Sequence, residues 1–264
     1  MATLLLRLAG PMQAWGADES KFEHRMTGNM PTKSAVIGMV AAAMGRRRNE
    51  SISDLASMRF GVRADQLGGL LSDYHTVHRP DKSKFTYITN RQYLEDACFL
   101  VGLESELDVL ASVADSLMNP YYPLFLGRRA CPPSGRLVLG MRDMPLQEAL
   151  KEEEWLASKW YAERMDRKVK LDMAVETNIS KGVPMVRDSP VSFDVTRRSH
   201  SYRGVEFSSC ELDNPFSKKV AKNKMDAFAE VKGVQRCTCP GWRSTHAGGI
   251  PCAPCPRLKS CTHQ

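Results

Sequence analysis

A chain of 264 residues with 42% hydrophobic and 25% charged residues can bury a sizeable core and has room for two domains. No apolar run approaches the ~20 residues a membrane-spanning helix needs. The apolar run at residues 3–8 is broken by Arg7 and lacks a basic leader, so it reads as a first strand rather than a signal peptide, and the expectation is a cytoplasmic protein that makes no use of a membrane. The formal charge of +7 is unevenly placed: from Asp213 to Gln264 nine Lys/Arg stand against three acids, leaving the body near neutrality. Any polyanion site in the body must therefore be a local patch, while the tail is basic overall.

In chain order, the strand at 3–8 runs into a glycine-bounded loop carrying Gln13 and Trp15. Pro31 and Thr32 announce a helix, with apolar residues from Ala35 to Met44 and Gly45 as its stop. Arg46, Arg47 and Arg48 follow, at the negative end of the helix dipole, where a solvated terminus accounts for them. At the opposite end Lys33 and Ser34 add an ammonium and a hydroxyl to free backbone N–H groups, an arrangement suited to an anion. Strands are expected at 58–63, 73–77 and 91–103, with a polar, basic hairpin tip between the last two that projects Arg79, Lys82 and Lys84. Helical spacing over 106–119 ends at Pro120, and another strand follows at 136–141. This order suits an α+β fold of the ferredoxin-like sandwich type, a common RNA-binding platform, over residues 1–145. Residues 146–212 read as a helical connector followed by a smaller β-rich C-terminal part with strands at 171–176, 191–195 and 202–207.

The stretch Tyr121-Tyr-Pro-Leu-Phe-Leu-Gly-Arg-Arg-Ala-Cys-Pro-Pro133 carries the most chemistry. Gly127 admits a ligand without a Cβ in the way, and Arg128 and Arg129 can each fork onto phosphate oxygens. Tyr121, Tyr122 and Phe125 offer stacking faces for unpaired bases. The competing reading is a surface loop whose arginines pair with carboxylates and whose aromatics are core.

Five motifs in order carry a family resemblance: Leu6-Arg-Leu-Ala-Gly-Pro-Met-Gln-Ala-Trp-Gly16, Gly28-Asn-Met-Pro-Thr-Lys-Ser34, Asp73-Tyr-His-Thr-Val77, Arg91-x-Tyr-Leu-x-Asp-Ala-x-Phe-x-Val101 and Tyr122-Pro-x-x-Leu-Gly-Arg-Arg-x-Cys-Pro132. Over residues 1–212 the chain resembles the CasD subunits of type I-E CRISPR surveillance complexes (Cascade), of the RAMP superfamily. The resemblance implies a RAMP-type ferredoxin-like fold with a projecting β-hairpin thumb at about 78–90. It implies a non-catalytic role in antiviral defence, holding the 5′ handle of crRNA and capping the backbone filament subunits next to the large subunit, with target DNA met through the complex. The handle-binding surface it implies comprises Gln13, Trp15, Arg25, Lys33, Ser34, His75, Arg128 and Arg129, with Gly127 in the same turn.

An alternative is a metal-independent endoribonuclease that processes CRISPR repeat RNA, as related RAMP subunits do. Such chemistry sets a His beside a 2′-hydroxyl with help from Lys or Tyr; His75, flanked by Tyr74, and then Lys33 are the candidates. The tail over 213–264 has no counterpart in the family pattern. Its Cys237, Cys239, Cys252 and Cys255 could fill one tetrahedral zinc site, with Cys261 and His263 as alternates; the same thiolates suit an iron–sulfur cluster. No cofactor is expected in the body.

Overall fold

The computed structural model describes residues 2–16, 23–78 and 86–219. The chain divides into two units, and the second, Val220–Gln264, lies outside the described residues. So do the candidate metal ligands Cys237, Cys239, Cys252, Cys255, Cys261 and His263, and the hairpin-tip residues Arg79, Lys82 and Lys84.

The elements of the first unit are β1 (Ala2–Ala9), β2 (Met12–Gln13), β3 (His24–Arg25), α1 (Lys33–Ala43), α2 (Ser53–Ala56), β4 (Arg59–Gln66), β5 (Gly69–His78), β6 (Thr86–Glu95), β7 (Cys98–Ser105), α3 (Leu107–Met118), β8 (Val138–Arg142), α4 (Leu146–Glu152), α5 (Lys159–Ala162), β9 (Lys168–Thr177), β10 (Met185–Ser192) and β11 (Ser199–Asp213). Seven strands form one sheet in the order β10-β11-β9-β4-β7-β1-β8, each antiparallel to its neighbours. The central strands are covered on both faces, so β1 and β7 read as almost continuous apolar runs, while β4 buries Arg63, Asp65 and Gln66 among its apolar residues. Alternation still sorts the side chains: Leu4, Leu6 and Leu8 of β1 enter the core beneath α1 and α3, while Leu5 joins Leu100, Met173 and Val175 beneath α4.

Both long helices follow their local signals. Thr32 Oγ1 accepts from Ala35 N at 3.4 Å and caps α1. The helix ends in a Schellman arrangement, with Gly45 (φ +74°) donating to Ala42 O and Arg46 N to Ala41 O. Leu110, Val113, Ala114 and Leu117 make the buried stripe of α3. The short α4 sits on Gly61 and Gly102, where any Cβ would collide with Leu150 and Leu146. Its carboxyl end is locked by Arg63 of β4. Fully buried, Arg63 donates to the carbonyls of Leu150, Glu153 and Glu154 (2.5–2.8 Å) and forks onto Asp65 at 2.6 and 2.8 Å. Burial of Asp65 raises its pKa, with the Arg63 guanidinium opposing the rise.

Two expectations about strands change. Residues after 146 do not form a sheet of their own, because β9 pairs with β4 (Gly61↔Val175 to Arg63↔Met173) and β11 and β10 extend the same sheet. The strand expected over 91–103 is two strands in two sheets. Asp96 at φ +54° turns the chain between β6 and β7, its N–H donating to Pro11 O and its carbonyl accepting from Gln66 Nε2 at 2.6 Å. Gly68 makes the matching corner between β4 and β5, pressed on the Glu95 carbonyl where a Cβ has no room. Among the described residues no helix is long and apolar enough to cross a membrane.

Candidate nucleic-acid interface

The second sheet is built around β6. On one edge β5 pairs with it from Gly69↔Glu95 to His78↔Thr86; on the other lie β2, antiparallel, and β3, parallel through His24↔Asn90 and Arg25↔Arg91. The β5–β6 hairpin is thus ten residues long in each arm, well beyond the expected 78–90. Its outer strand β5 is exposed along nearly its whole length, with Tyr74 at 63%. Residues that face one another in this register share a side of the ribbon. Leu70, Tyr74 and Ile88 lie on one side; Leu71, Asp73, His75, Val77, Tyr87, Arg91 and Tyr93 lie on the other.

The loop after α3 is fastened at both ends. Tyr121 N and Tyr122 N donate to the last carbonyls of α1, Ala43 O and Ala42 O. Further on, Leu126 O accepts from Ala14 N, Leu126 N donates to Cys131 O, and Cys131 N closes a turn onto Arg128 O at 2.8 Å. Gly127 (φ +85°) packs directly against the Ala14 carbonyl, so the close approach its lack of a Cβ permits is to the protein's own backbone, not to a ligand. Exposed Tyr121 sits against Gly45 at the carboxyl end of α1, and its ring meets that of exposed Tyr122 edge-on with centroids 4.7 Å apart.

The adjacent arginines divide their work. Arg128 is half-buried: Nη1 donates to Gln92 O (3.1 Å), Nη2 to Arg25 O (2.8 Å) and Met26 O (3.4 Å), and the guanidinium lies 4.7 Å from the Tyr93 ring centroid. It bolts the loop to β3 and β6. Arg129, one residue on, is exposed. His75 is exposed on β5 with Nδ1 3.6 Å from Asp73 Oδ2, and Arg25 is half-buried on β3.

Other expected contact residues turn inward. Trp15 is 2% exposed; its Nε1 donates to Gln13 Oε1 at 3.2 Å and its ring meets Phe99 edge-on. Gln13 is fully buried, its Nε2 donating to Leu8 O and Ala97 O. Neither presents a face to RNA; both set the loop between β1 and β3. Lys33 is 2% exposed, with Nζ 2.9 and 3.0 Å from the Glu176 carboxylate and its backbone N–H on Asp188 Oδ2 at 2.9 Å. An internal carboxylate thus fills the anion position at the start of α1, and half-buried Ser34 lies 3.4 Å from Thr32 Oγ1. What the sequence reading missed is Tyr93, 5% exposed beneath Arg128, and Arg91, whose Nε is buried without an acceptor among the described residues. Their two-residue spacing on β6 was the available signal.

The assembled feature is a long exposed ribbon beside a turn held by Arg128, at which Arg129 is exposed with no hydrogen-bond or ion-pair partner among the described residues. The sequence pattern of the family described as CRISPR-associated protein (Cas_Cas5) matches residues 3–206. The chain is 40% identical over 159 residues to the CRISPR system Cascade subunit CasD of Escherichia coli (strain K12), covering 52% of this chain and 70% of that protein. A solved structure described as a CRISPR RNA-guided surveillance complex contains a chain similar to this one at 31% identity and a TM-score of 0.67, covering 87% of this chain and 99% of that one. A crystal structure of a Cas protein is similar at 36% identity and a TM-score of 0.62, covering 83% and 98%. With both its sequence pattern and its architecture in agreement over nearly all of the described unit, this chain belongs to the Cas5 family of CRISPR-associated proteins.

Proposed function

We propose that this chain is a non-catalytic RNA-binding subunit of a type I-E CRISPR surveillance complex of the Cascade kind, gripping the 5′ handle of crRNA. In this reading it caps the backbone filament next to the large subunit and meets target DNA only through the complex. The observation that carries it is the junction of the β5–β6 ribbon with the Gly127–Arg129 turn. Arg128 fixes the turn rigidly, Arg129 is left for phosphate, and exposed His75 and Tyr74 line the ribbon. Likeness to CasD and to a surveillance-complex chain supports the assignment. The neighbour order β4-β7-β1-β8, with α1 between β1 and β4 and α3 between β7 and β8, supports a ferredoxin-like RAMP core. Cleavage is disfavoured because Lys33, the second candidate after His75, is buried in an ion pair with Glu176. The tail is proposed to bind zinc through Cys237, Cys239, Cys252 and Cys255.

The test is assembly on guide RNA with and without the 5′ handle, followed by electrophoresis of the RNA. Retention of uncut RNA that depends on the handle is expected. Handle-independent retention would remove the assignment, and cleavage that disappears in His75→Ala would replace it with the endoribonuclease.

A further inference from the structure

Away from this interface, where β9 and β11 meet the start of α1, lies an open groove of about 540 Å³. Two ion pairs border it. Lys33 is paired with Glu176, and Arg203, 7% exposed, is forked onto Asp188 through Nε (2.6 Å) and Nη2 (3.0 Å), with Phe60 5.1 Å from its guanidinium. The remaining nitrogen of that fork, Nη1, is buried and has no acceptor among the described residues. A buried guanidinium nitrogen that leaves its protons unpaired is costly, and Arg203 is one of the residues that line the groove. At the rim, Tyr202 is 55% exposed with Arg187 6.0 Å from its ring centroid, and Ser57 and Asn178 add short polar groups.

The charges select the ligand. Each cation is already neutralised by its own carboxylate, so the floor attracts a neutral acceptor rather than a bare phosphate. A flat ring carrying a carbonyl oxygen answers both features, with its oxygen toward Arg203 and its face against Tyr202. We propose that this groove is a subsite for one unpaired nucleobase bearing an exocyclic carbonyl, with the strand's phosphates outside near Arg187. The nucleic-acid class of the ligand rests on the RNA-binding reading above; the groove's geometry does not.

The experiment is fluorescence anisotropy of the full chain with labelled eight-nucleotide oligo(U) and oligo(A). Tyr202→Ala is expected to weaken oligo(U) roughly 5- to 100-fold with an unchanged melting midpoint, and to weaken oligo(A), which lacks the carbonyl, by less. Arg129→Ala serves as the second arm. Weakening by Arg129→Ala but not by Tyr202→Ala would overturn the groove and leave the ribbon interface standing. Weakening by Tyr202→Ala alone would keep the groove and remove the interface. An equal loss for oligo(A) would overturn the carbonyl assignment. Unchanged oligonucleotide binding with poorer retention of another protein subunit in the assembled complex would assign the groove to protein and overturn the proposal.

Discussion

Replacing Arg128 and Arg129 separately by alanine distinguishes a double clamp from the divided roles seen in the structure. Arg128→Ala removes charged-donor hydrogen bonds to Arg25 O and Gln92 O and a ring contact with Tyr93. The freed carbonyls lie at a half-exposed site and recover water, so each bond contributes about 1 kcal/mol, below the roughly 1.5–3 kcal/mol of bonds to charged groups, and the ring contact about 0.5–1 kcal/mol. The loss of roughly 2–3 kcal/mol corresponds to a melting midpoint lower by about 5–10 °C for a chain of this size. Arg129→Ala touches no such contact and should leave stability within about 0.5 kcal/mol. It should instead weaken RNA and flatten the salt dependence, lowering the slope of log K against log salt by about 0.7 for one single-strand phosphate contact. Thermal unfolding and RNA titrations at two salt concentrations on both variants settle the matter. An Arg128→Ala protein of unchanged stability that loses RNA binding, with its own reduction in salt slope, would refute the bolt and restore the double clamp.

Other perturbations follow from the same geometry. Arg63→Ala strands the buried Asp65 carboxylate and three carbonyls, and should cost about 3–5 kcal/mol by urea unfolding; replacing both charged residues by apolar ones should cost less than the single change. Gly127→Ala combines a left-handed backbone with overlap onto Ala14 O, and should lower stability by at least about 2 kcal/mol in the same assay. Burial pushes the Cys98 thiol up to about 11. Its thiolate therefore appears only as pH approaches that value, and native-state alkylation at pH 8 followed by peptide mapping should leave Cys98 unmodified until the protein is unfolded. Metal analysis of the purified chain should find roughly one zinc per molecule, lost in a Cys237→Ser, Cys252→Ser double variant; full zinc content in that variant would remove these ligands.

Local signals specify the ends of α1 because they involve near neighbours. Thr32 caps three residues ahead, and Gly45 is the residue that tolerates the left-handed turn after Met44. The apolar strands and the stripe of α3 were legible for the same reason, as was the motif set that carries the family. The division of Arg128 from Arg129 was not legible, since their sequence environments are nearly identical and only the carbonyls of β3 and β6 choose one for burial. Lys33 shows the same limit: a free helix start and a lysine look like an anion site until Asp188 and Glu176, more than 140 residues away in sequence, arrive to fill it. Strand alternation also cannot report a change of sheet, so 91–103 reads as one strand although Asp96 sends its halves into different sheets. The sequence by itself determines which segments bury, where helices start and stop, and which family the chain resembles. Only the tertiary structure decides which polar side chains remain available to a ligand, because that depends on which distant donors and acceptors folding brings within about 3 Å.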